Sequence, residues 1–373
     1  MMFGREERGK MIAKNGEVVR VNSEKYEVKS QSGNGIYLVT LSSKGWSCAC
    51  PDHRTRQVKC KHIHAVEFSL QLRNEVRESM VVSPVTVDSC PYCGSHEIEK
   101  FGVRRNRSTT IQRFRCKLCK KTFSLNLGFE RMRSDPKAIT TAMQLYFSGE
   151  SLRNTKLALK MMGVSVSHVT IYKWIGKYVN LMNDYLERIT PQVSGVWRTD
   201  EIYVKFRGKM NYVFAMMDDE TRFWIAQQVA QHKGTDDVAP MFKQAAHFAQ
   251  KKPSLLISDG AQNFKRAFKQ AYFSNAQDTK HVSQVHFKDP DNNNKMERLN
   301  GEIRDREKVF RGLKSTNTPI LKGCRLYHNF IRPHEALNGK TPAEAAGISI
   351  EGANKWLTII QNAAKPVGWY CTQ

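Results

Sequence analysis

Residues 196–206 read V-W-R-T-D-E-I-Y-V-K-F. β-branched and aromatic residues dominate, so the run predicts a strand with a carboxylate, Asp200, inside it. A carboxylate in a strand core is expensive unless it is paired or holds a cation. A second apolar run, S-L-L-I-S-D-G-A at 254–261, closes on Asp259 and Gly260. A third stretch, D-N-N-N-K-M-E-R-L-N-G at 291–301, opens a long amphipathic helix and carries Glu297. Acids converging from two strands and a helix point to a divalent-metal site for phosphoryl transfer.

The flanking pattern supplies the fold. After 196–206 come a strand at 212–217, a D-D-E-T turn and a strand at 222–229. A helix over 235–249, a strand at 254–258, a helix over 261–272, a short strand near 281–287 and a long helix from about Asn292 follow. Three antiparallel strands and then alternating helix and strand predict a mixed α/β sheet, the ribonuclease H-like arrangement. Strand alternation sets Arg198 and Ile202 on the face of Asp200 and turns Glu201 to the other. On the long helix Met296, Leu299, Ile303, Phe310 and Leu313 form the core stripe. Glu297, Gly301, Arg304, Lys308 and Arg311 share an adjacent face suited to DNA. Each acid also has a local explanation. Asp200 could be a satisfied polar residue at a strand end, Asp259 a turn residue before glycine, and Glu297 half of a capping box with Asn294.

W-R-T-D-E, S-D-G and N-N-x-x-E-R-L-N-G, with 37 residues between the second and third acids, resemble the DDE motif of insertion-sequence transposases in the retroviral-integrase superfamily. The resemblance runs on through H-N-F-I-R-P-H-E-A-L-N-G-K-T-P-A-E-A-A-G at 328–347 and covers roughly residues 136–348. It implies that Asp200, Asp259 and Glu297 hold two Mg²⁺ (or Mn²⁺) ions, and that Arg304 neutralises a nearby phosphate. It implies cleavage at the terminal inverted repeats and joining of the 3′-OH to target DNA, with at least a dimer at work. The alternatives are a ribonuclease H-like nuclease that hydrolyses without joining, and a zinc-dependent DNA-binding regulator.

Composition agrees with a polyanionic partner. The 373 residues carry 59 Lys+Arg against 35 Asp+Glu, a net charge of +24. No stretch is long enough to span a membrane and the start has no signal-peptide core. The expected location is therefore cytoplasmic, in a prokaryote. In a reducing compartment the nine cysteines are metal ligands or free thiols before they are disulfides.

Cys48-x-Cys50, nine residues, then Cys60-x-His62 offer three thiolates and an imidazole, a tetrahedral zinc set. His53 or His64 could replace His62. With a hairpin before it and a helix after it, residues 1–82 resemble a SWIM-type zinc finger. Cys90-x₂-Cys93 and Cys116-x₂-Cys119, 22 residues apart, have the spacing of a zinc ribbon over 83–134. Nine Lys or Arg and no acid lie between Lys100 and Lys121, so Arg104, Arg105 and Arg107 are candidate phosphate contacts. The segment resembles the ribbons at the front of insertion-element transposases.

Residues 135–191 predict three helices in a helix-turn-helix, the third capped by Ser167. Ile171, Trp174, Ile175 and Tyr178 form its buried stripe. His168, Thr170, Lys173 and Lys177 lie off that stripe as DNA contacts. The catalytic core spans 192–315 and a helical tail 316–373, in which Thr341 to Glu344 has the form of a capping box. Cys324 and Cys371 are expected as free thiols, and His334 as structural. Two structural zinc sites thus precede the divalent-metal site, in a multidomain chain that binds double-stranded DNA and no membrane.

Overall fold

The computed structural model describes the chain except residues 1–3, 16, 22–24, 32–34, 43–44, 76–79, 106–109, 125–126, 207, 273–278, 284–292, 311–312, 314–317 and 366–373. Arg107, Arg311 and Cys371 therefore lie outside the described residues. Among the described residues no helix is long and apolar enough to cross a membrane.

The first part runs α1 (Arg5–Lys14), β1 (Val18–Arg20), β2 (Lys25–Lys29), β3 (Ile36–Ser42), β4 (Gly45–Cys48), α2 (Pro51–Arg56) and α3 (Lys61–Glu75). Its four strands form one antiparallel sheet in sequence order. Ile12, Tyr26, Val28, Val39, Ile63 and Val66 close a small core of its own. Helix α1 is not anticipated, because R-E-E-R-G-K-M-I-A-K carries no wide apolar stripe. It is held by close packing on α3: a Cβ at Gly9 would lie 2.6 Å from the His64 Cβ.

Next come β5 (Met80–Val82), β6 (Ile98–Arg105), β7 (Thr110–Cys116) and β8 (Thr122–Ser124), the last three paired antiparallel. The β6–β8 sheet has almost no core. Phe101 and Val103 are exposed, and the Arg113 and Arg115 guanidiniums stack over the Phe101 ring at 5.6 and 5.2 Å.

Helices α4 (Pro136–Ser148), α5 (Leu152–Met161) and α6 (His168–Leu186) follow. Asp135, Ser151 and Ser167 cap them, each side chain accepting a backbone N–H of the first turn. Ile171, Trp174, Ile175 and Tyr178 are buried, as the spacing predicts.

The sheet that follows comprises β9 (Val196–Phe206), β10 (Lys209–Asp218), β11 (Trp224–Ala230), β12 (Leu255–Ser258) and β13 (Lys280–Ser283), with α7 (Thr235–Ala249), α8 (Gln262–Ala271) and α9 (Asn294–Phe310) between and after them. The strand order is β11-β10-β9-β12-β13. The first three are antiparallel, and β12 and β13 run parallel to β9. This is the mixed α/β sheet expected from the sequence.

The tail holds α10 (Pro319–Leu326), a π turn at 327–331, α11 (Pro342–Ala345), β14 (Ile348–Ile350) and α12 (Lys355–Ala363). Thr341 and Glu344 form the predicted capping box. One hydrophobic core runs from Ile139, Trp174 and Tyr178 through Trp197 and Trp224 to Trp356. It crosses the boundaries drawn at 191 and 315. A long-range pairing adds to it: β14 lies parallel to β5, and Val82 joins the same core.

Candidate active site

Strand β12 is short, and its length builds the site. It pairs with β9 only from Val196 to Arg198. Continued two residues, that register sets Asp259 opposite Asp200. Beyond Arg198, β9 has β10 on one side and, among the described residues, only a single bridge from Phe206 to Leu313 on the other. The carboxylates of Asp200, Glu201 and Asp259 meet there, with oxygens within 4.8 Å of one another. Glu201 is therefore not turned away, contrary to the alternation argument. Alternation fixes only where each Cβ points, and the longer Glu201 side chain still brings its carboxylate to the Asp200 and Asp259 oxygens.

The acids are held by their surroundings. Asp200 Oδ1 accepts the Glu201 N–H at 2.9 Å, and Oδ2 accepts Asn300 Nδ2 at 2.8 Å. Asn300 lies buried on α9, so this bond ties the helix to the strand at the site. It lies in the N-N-x-x-E-R-L-N-G stretch, where its only sequence signal is a polar residue beside the core stripe. Asp259 Oδ1 accepts the Ala261 N–H at 3.2 Å, so its turn role holds alongside its place in the cluster.

Burial pushes Asp200 up to about 6, with repulsion from Asp259 and Glu297 adding to it. Burial, then Asp259 and Asp200, push Glu201 up to about 7. Glu201 Oε2 is buried with no hydrogen-bond partner among the described residues. Two nearby acids show the opposite condition. Asp218 accepts four bonds, from the backbone N–H and hydroxyl of Ser194 and of Thr221. Asp219 meets Arg198 at 2.5 Å and Lys295 at 2.7 Å. Burial raises Asp219, but those two cations hold it below the ordinary carboxylate range. Asp218 and Asp219 are satisfied structural acids. The trio at the β12 end is close-set and oxygen-only, with one Glu201 oxygen left without a partner among the described residues, the donor set that suits a hard divalent cation.

Glu297 is exposed on the first turn of α9. It stands outside the 4.8 Å group, while its charge acts on Asp200. Met296, Leu299 and Ile303 are buried, so Glu297 and Arg304 occupy the solvent face expected for them. Arg304 is exposed and has no ion pair among the described residues. Lys308 is exposed and bound to Asp305 at 2.8 Å.

Both cysteine sets converge. Ligand atoms of Cys48, Cys50, Cys60 and His62 lie within 4.8 Å of one another, as do those of Cys90, Cys93, Cys116 and Cys119. His62 Nδ1 faces the Cys48 and Cys60 sulfurs at 3.8 and 3.9 Å. His53 bonds the Val58 carbonyl and His64 faces Glu67. His62 is thus the imidazole of this cluster. A hydrogen bond from Cys48 lowers the Cys60 thiol to about 3. In the second set the Cys119 backbone N–H, with other local bonds, lowers Cys116 to about 6. Each set thus holds one cysteine shifted toward the thiolate, the form that binds a soft cation, while Cys48, Cys50 and Cys93 are shifted up.

On α6, His168 and Lys173 are exposed and Thr170 is half-buried beside Ser167. Lys177 Nζ donates to the Gly128 carbonyl at 3.4 Å, so it also ties α6 to the loop before α4. Arg104 and Arg105 are exposed at the end of β6.

A family profile described as the DDE domain of the IS240 transposase type matches residues 194–334. This stretch is similar to a DDE domain. It contains Asp200, Glu201, Asp259, Glu297 and Asn300. The transposase of the insertion sequence-like element IS431mec of Staphylococcus aureus is 27% identical over 143 residues, covering 37% of this chain and 62% of that protein. The transposase of IS257 in transposon Tn4003, also from Staphylococcus aureus, aligns over the same share. The chain thus spans about three-fifths of the length of the curated relatives it matches. An uncharacterised 48.3 kDa protein of element ISM1 from Methanobrevibacter smithii is 25% identical over 164 residues, 39% of each chain. The magnesium-bound catalytic core of HTLV-2 integrase overlays with a TM-score of 0.32 at 17% identity, over 42% of this chain and 98% of that one. A divalent cation is the group that a DDE domain implies, and the oxygen cluster fits it.

Proposed function

We propose that this chain is the transposase of a prokaryotic insertion sequence, acting on DNA in the cytoplasm. It would bind the terminal inverted repeats, cleave the element ends and join the freed 3′-OH to target DNA. The observation that carries the reading is the meeting of Asp200, Glu201 and Asp259 at the end of β12, inside a stretch similar to a DDE domain.

Asp200, Asp259 and Glu297 would hold Mg²⁺ or Mn²⁺, with Glu297 drawn in from its present distance. Bound there, the cations would supply Lewis-acid stabilisation of phosphoryl oxygens and an activated attacking oxygen. Asn300 keeps the Asp200 oxygens aimed, a role that metal sites assign to outer residues. The exposed Arg304 guanidinium, two turns beyond Glu297, would pair with a phosphate of the bound strand. Water attacks first at the element end, and the resulting 3′-OH then attacks the target. Both are in-line displacements at phosphorus, so one site serves both.

The upstream parts would deliver DNA. The Cys48/Cys50/Cys60/His62 and Cys90/Cys93/Cys116/Cys119 sets would each hold a structural Zn²⁺ in a SWIM-type finger (1–82) and a ribbon (83–134). Helices α4–α6 (135–191) would form the helix-turn-helix, with His168, Thr170, Lys173 and Lys177 toward the groove and Arg104 and Arg105 on phosphates. Residues 192–315 would be the ribonuclease H-like core and 316–373 its tail. Two ends handled together require at least a dimer.

The test is an incubation with duplexes carrying the inverted repeats that flank the gene, Mg²⁺ and supercoiled plasmid. Joined end–plasmid products are expected. Nicks without joined products would reduce the chain to a nuclease, and Mg²⁺-independent binding without cleavage would reduce it to a regulator.

A further inference from the structure

Helix α9 has a second polar face, one residue round from Glu297. Lys295, Arg298 and Glu302 lie on it at helical spacing and line a cleft of about 690 Å³. The Asp218–Phe223 turn contributes Arg222 to the same cleft, and the segment after α10 contributes Arg332. Four cations from three elements thus face one space.

Most charges in the cleft already have partners. Glu302 holds Arg332 at 2.7 Å and His328 Nδ1 at 3.1 Å. Asp305 holds Lys308, and Lys295 is spent on Asp219 at 2.7 Å. Arg222 and Arg298 have no ion pair or side-chain hydrogen bond among the described residues. They are close enough to repel: burial first, then the Arg298 charge, lowers the Arg222 guanidinium.

Arg222 is moreover fixed in place. Its φ is 56°, a left-handed conformation uncommon outside glycine. Its N–H donates to the Asp218 carbonyl at 3.1 Å, and its carbonyl faces His328 Nε2 at 3.0 Å. His328 is in turn held by Glu302, so the cleft wall is braced from both sides. Arg222 feels the Asp219 and Glu302 charges but is bonded to neither, so a half-buried arginine beside a second arginine is left able to take an anion. Paired guanidiniums match phosphate oxygens better than other anions of that size.

We propose that the cleft formed by Arg222, Arg298 and Arg332 takes one phosphodiester of the DNA backbone, next to the strand held at the acids. The duplex would then straddle α9, with the Glu297–Arg304 face on one strand and this cleft on a neighbouring phosphate. The inference rests on the reading of the chain as a DNA-processing enzyme; its test involves no chemistry.

Binding of a mixed-sequence duplex is measured in EDTA across a salt series. Arg298→Gln is expected to lower the slope of log affinity against log salt by about 0.9, the contribution of one neutralised phosphate. Arg298→Lys keeps most of that slope, because the charge remains. Lys269→Gln, an equal loss of charge on an exposed site outside the cleft, leaves it unchanged. Arg298 is exposed, and circular dichroism of each variant checks the fold. An unchanged slope in Arg298→Gln, or an equal fall in Lys269→Gln, overturns the proposal. So does inorganic phosphate that raises the melting temperature of the parent but not of Arg298→Gln while the duplex slopes agree, since the cleft would then serve free phosphate. End joining with equal slopes removes this inference alone; a slope change in a chain that never joins ends removes the transposase reading alone.

Discussion

At the scale of single residues, Glu201 is the most informative side chain. It shares the cluster with Asp200 and Asp259 and keeps a buried oxygen without a partner. Glu201→Gln should raise the Mg²⁺ needed for half-maximal cleavage about tenfold or more, the scale of losing a supporting group at a metal site, with duplex binding unchanged. An identical Mg²⁺ response would leave Glu201 a bystander. The raised carboxyls also set a pH dependence. Asp200 at about 6 and Glu201 at about 7 bind protons below those values, and a cation must displace them. Apparent Mg²⁺ affinity should therefore fall as pH drops through 7 toward 6, and isothermal titration in paired buffers should show protons released on binding. Release that stays at zero across that window would contradict the shifts. Asp200 and Asp259 were legible because each stands out in an apolar run. Glu201 is not legible, because alternation fixes only where its Cβ points, while its carboxylate meets Asp259 where β12 stops at Ser258. That stop is a tertiary fact.

At the scale of elements, the two cysteine clusters and α6 carry the predictions. The β6–β8 sheet leaves Phe101 and Val103 exposed, so it lacks the core to fold unaided. Elemental analysis of the parent should give about two zinc per chain, one for each four-ligand set. Cys60→Ser and Cys119→Ser should each remove about one, and the second should unfold the ribbon. Zinc content unchanged in either variant would refute that site. Ser167 caps α6 by accepting the Thr170 N–H at 3.0 Å. Ser167→Ala should lower stability by about 1 kcal/mol in denaturant melts; no change would mean that packing alone fixes the helix start. Lys173→Ala should weaken binding to the inverted repeats more than to random duplex. Equal loss on both would leave Lys173 a phosphate contact. The helices, caps and strands of this region follow from local signals, and the sequence shows them. Helix α1 and the β5–β14 pairing do not follow, because Gly9 against His64 and Met80 beside Ile348 are contacts between distant parts of the chain.

At the scale of the molecule, a chain of net charge +24 carries a site made of acids. The excess favours a polyanion wherever it lands, and the site repels it until cations intervene. The continuous core from α4 to α12 means that α4–α6 and the acids share one packed body, so DNA gripped at α6, as proposed, would have a fixed path to β12. Asp259 is the residue on which that path ends. The most direct test incubates Asp259→Asn with the repeat ends, Mg²⁺ and plasmid, beside the parent. The account predicts end binding close to that of the parent, with cleavage and joined products lost together. Joined products from Asp259→Asn at the parent's rate would contradict it.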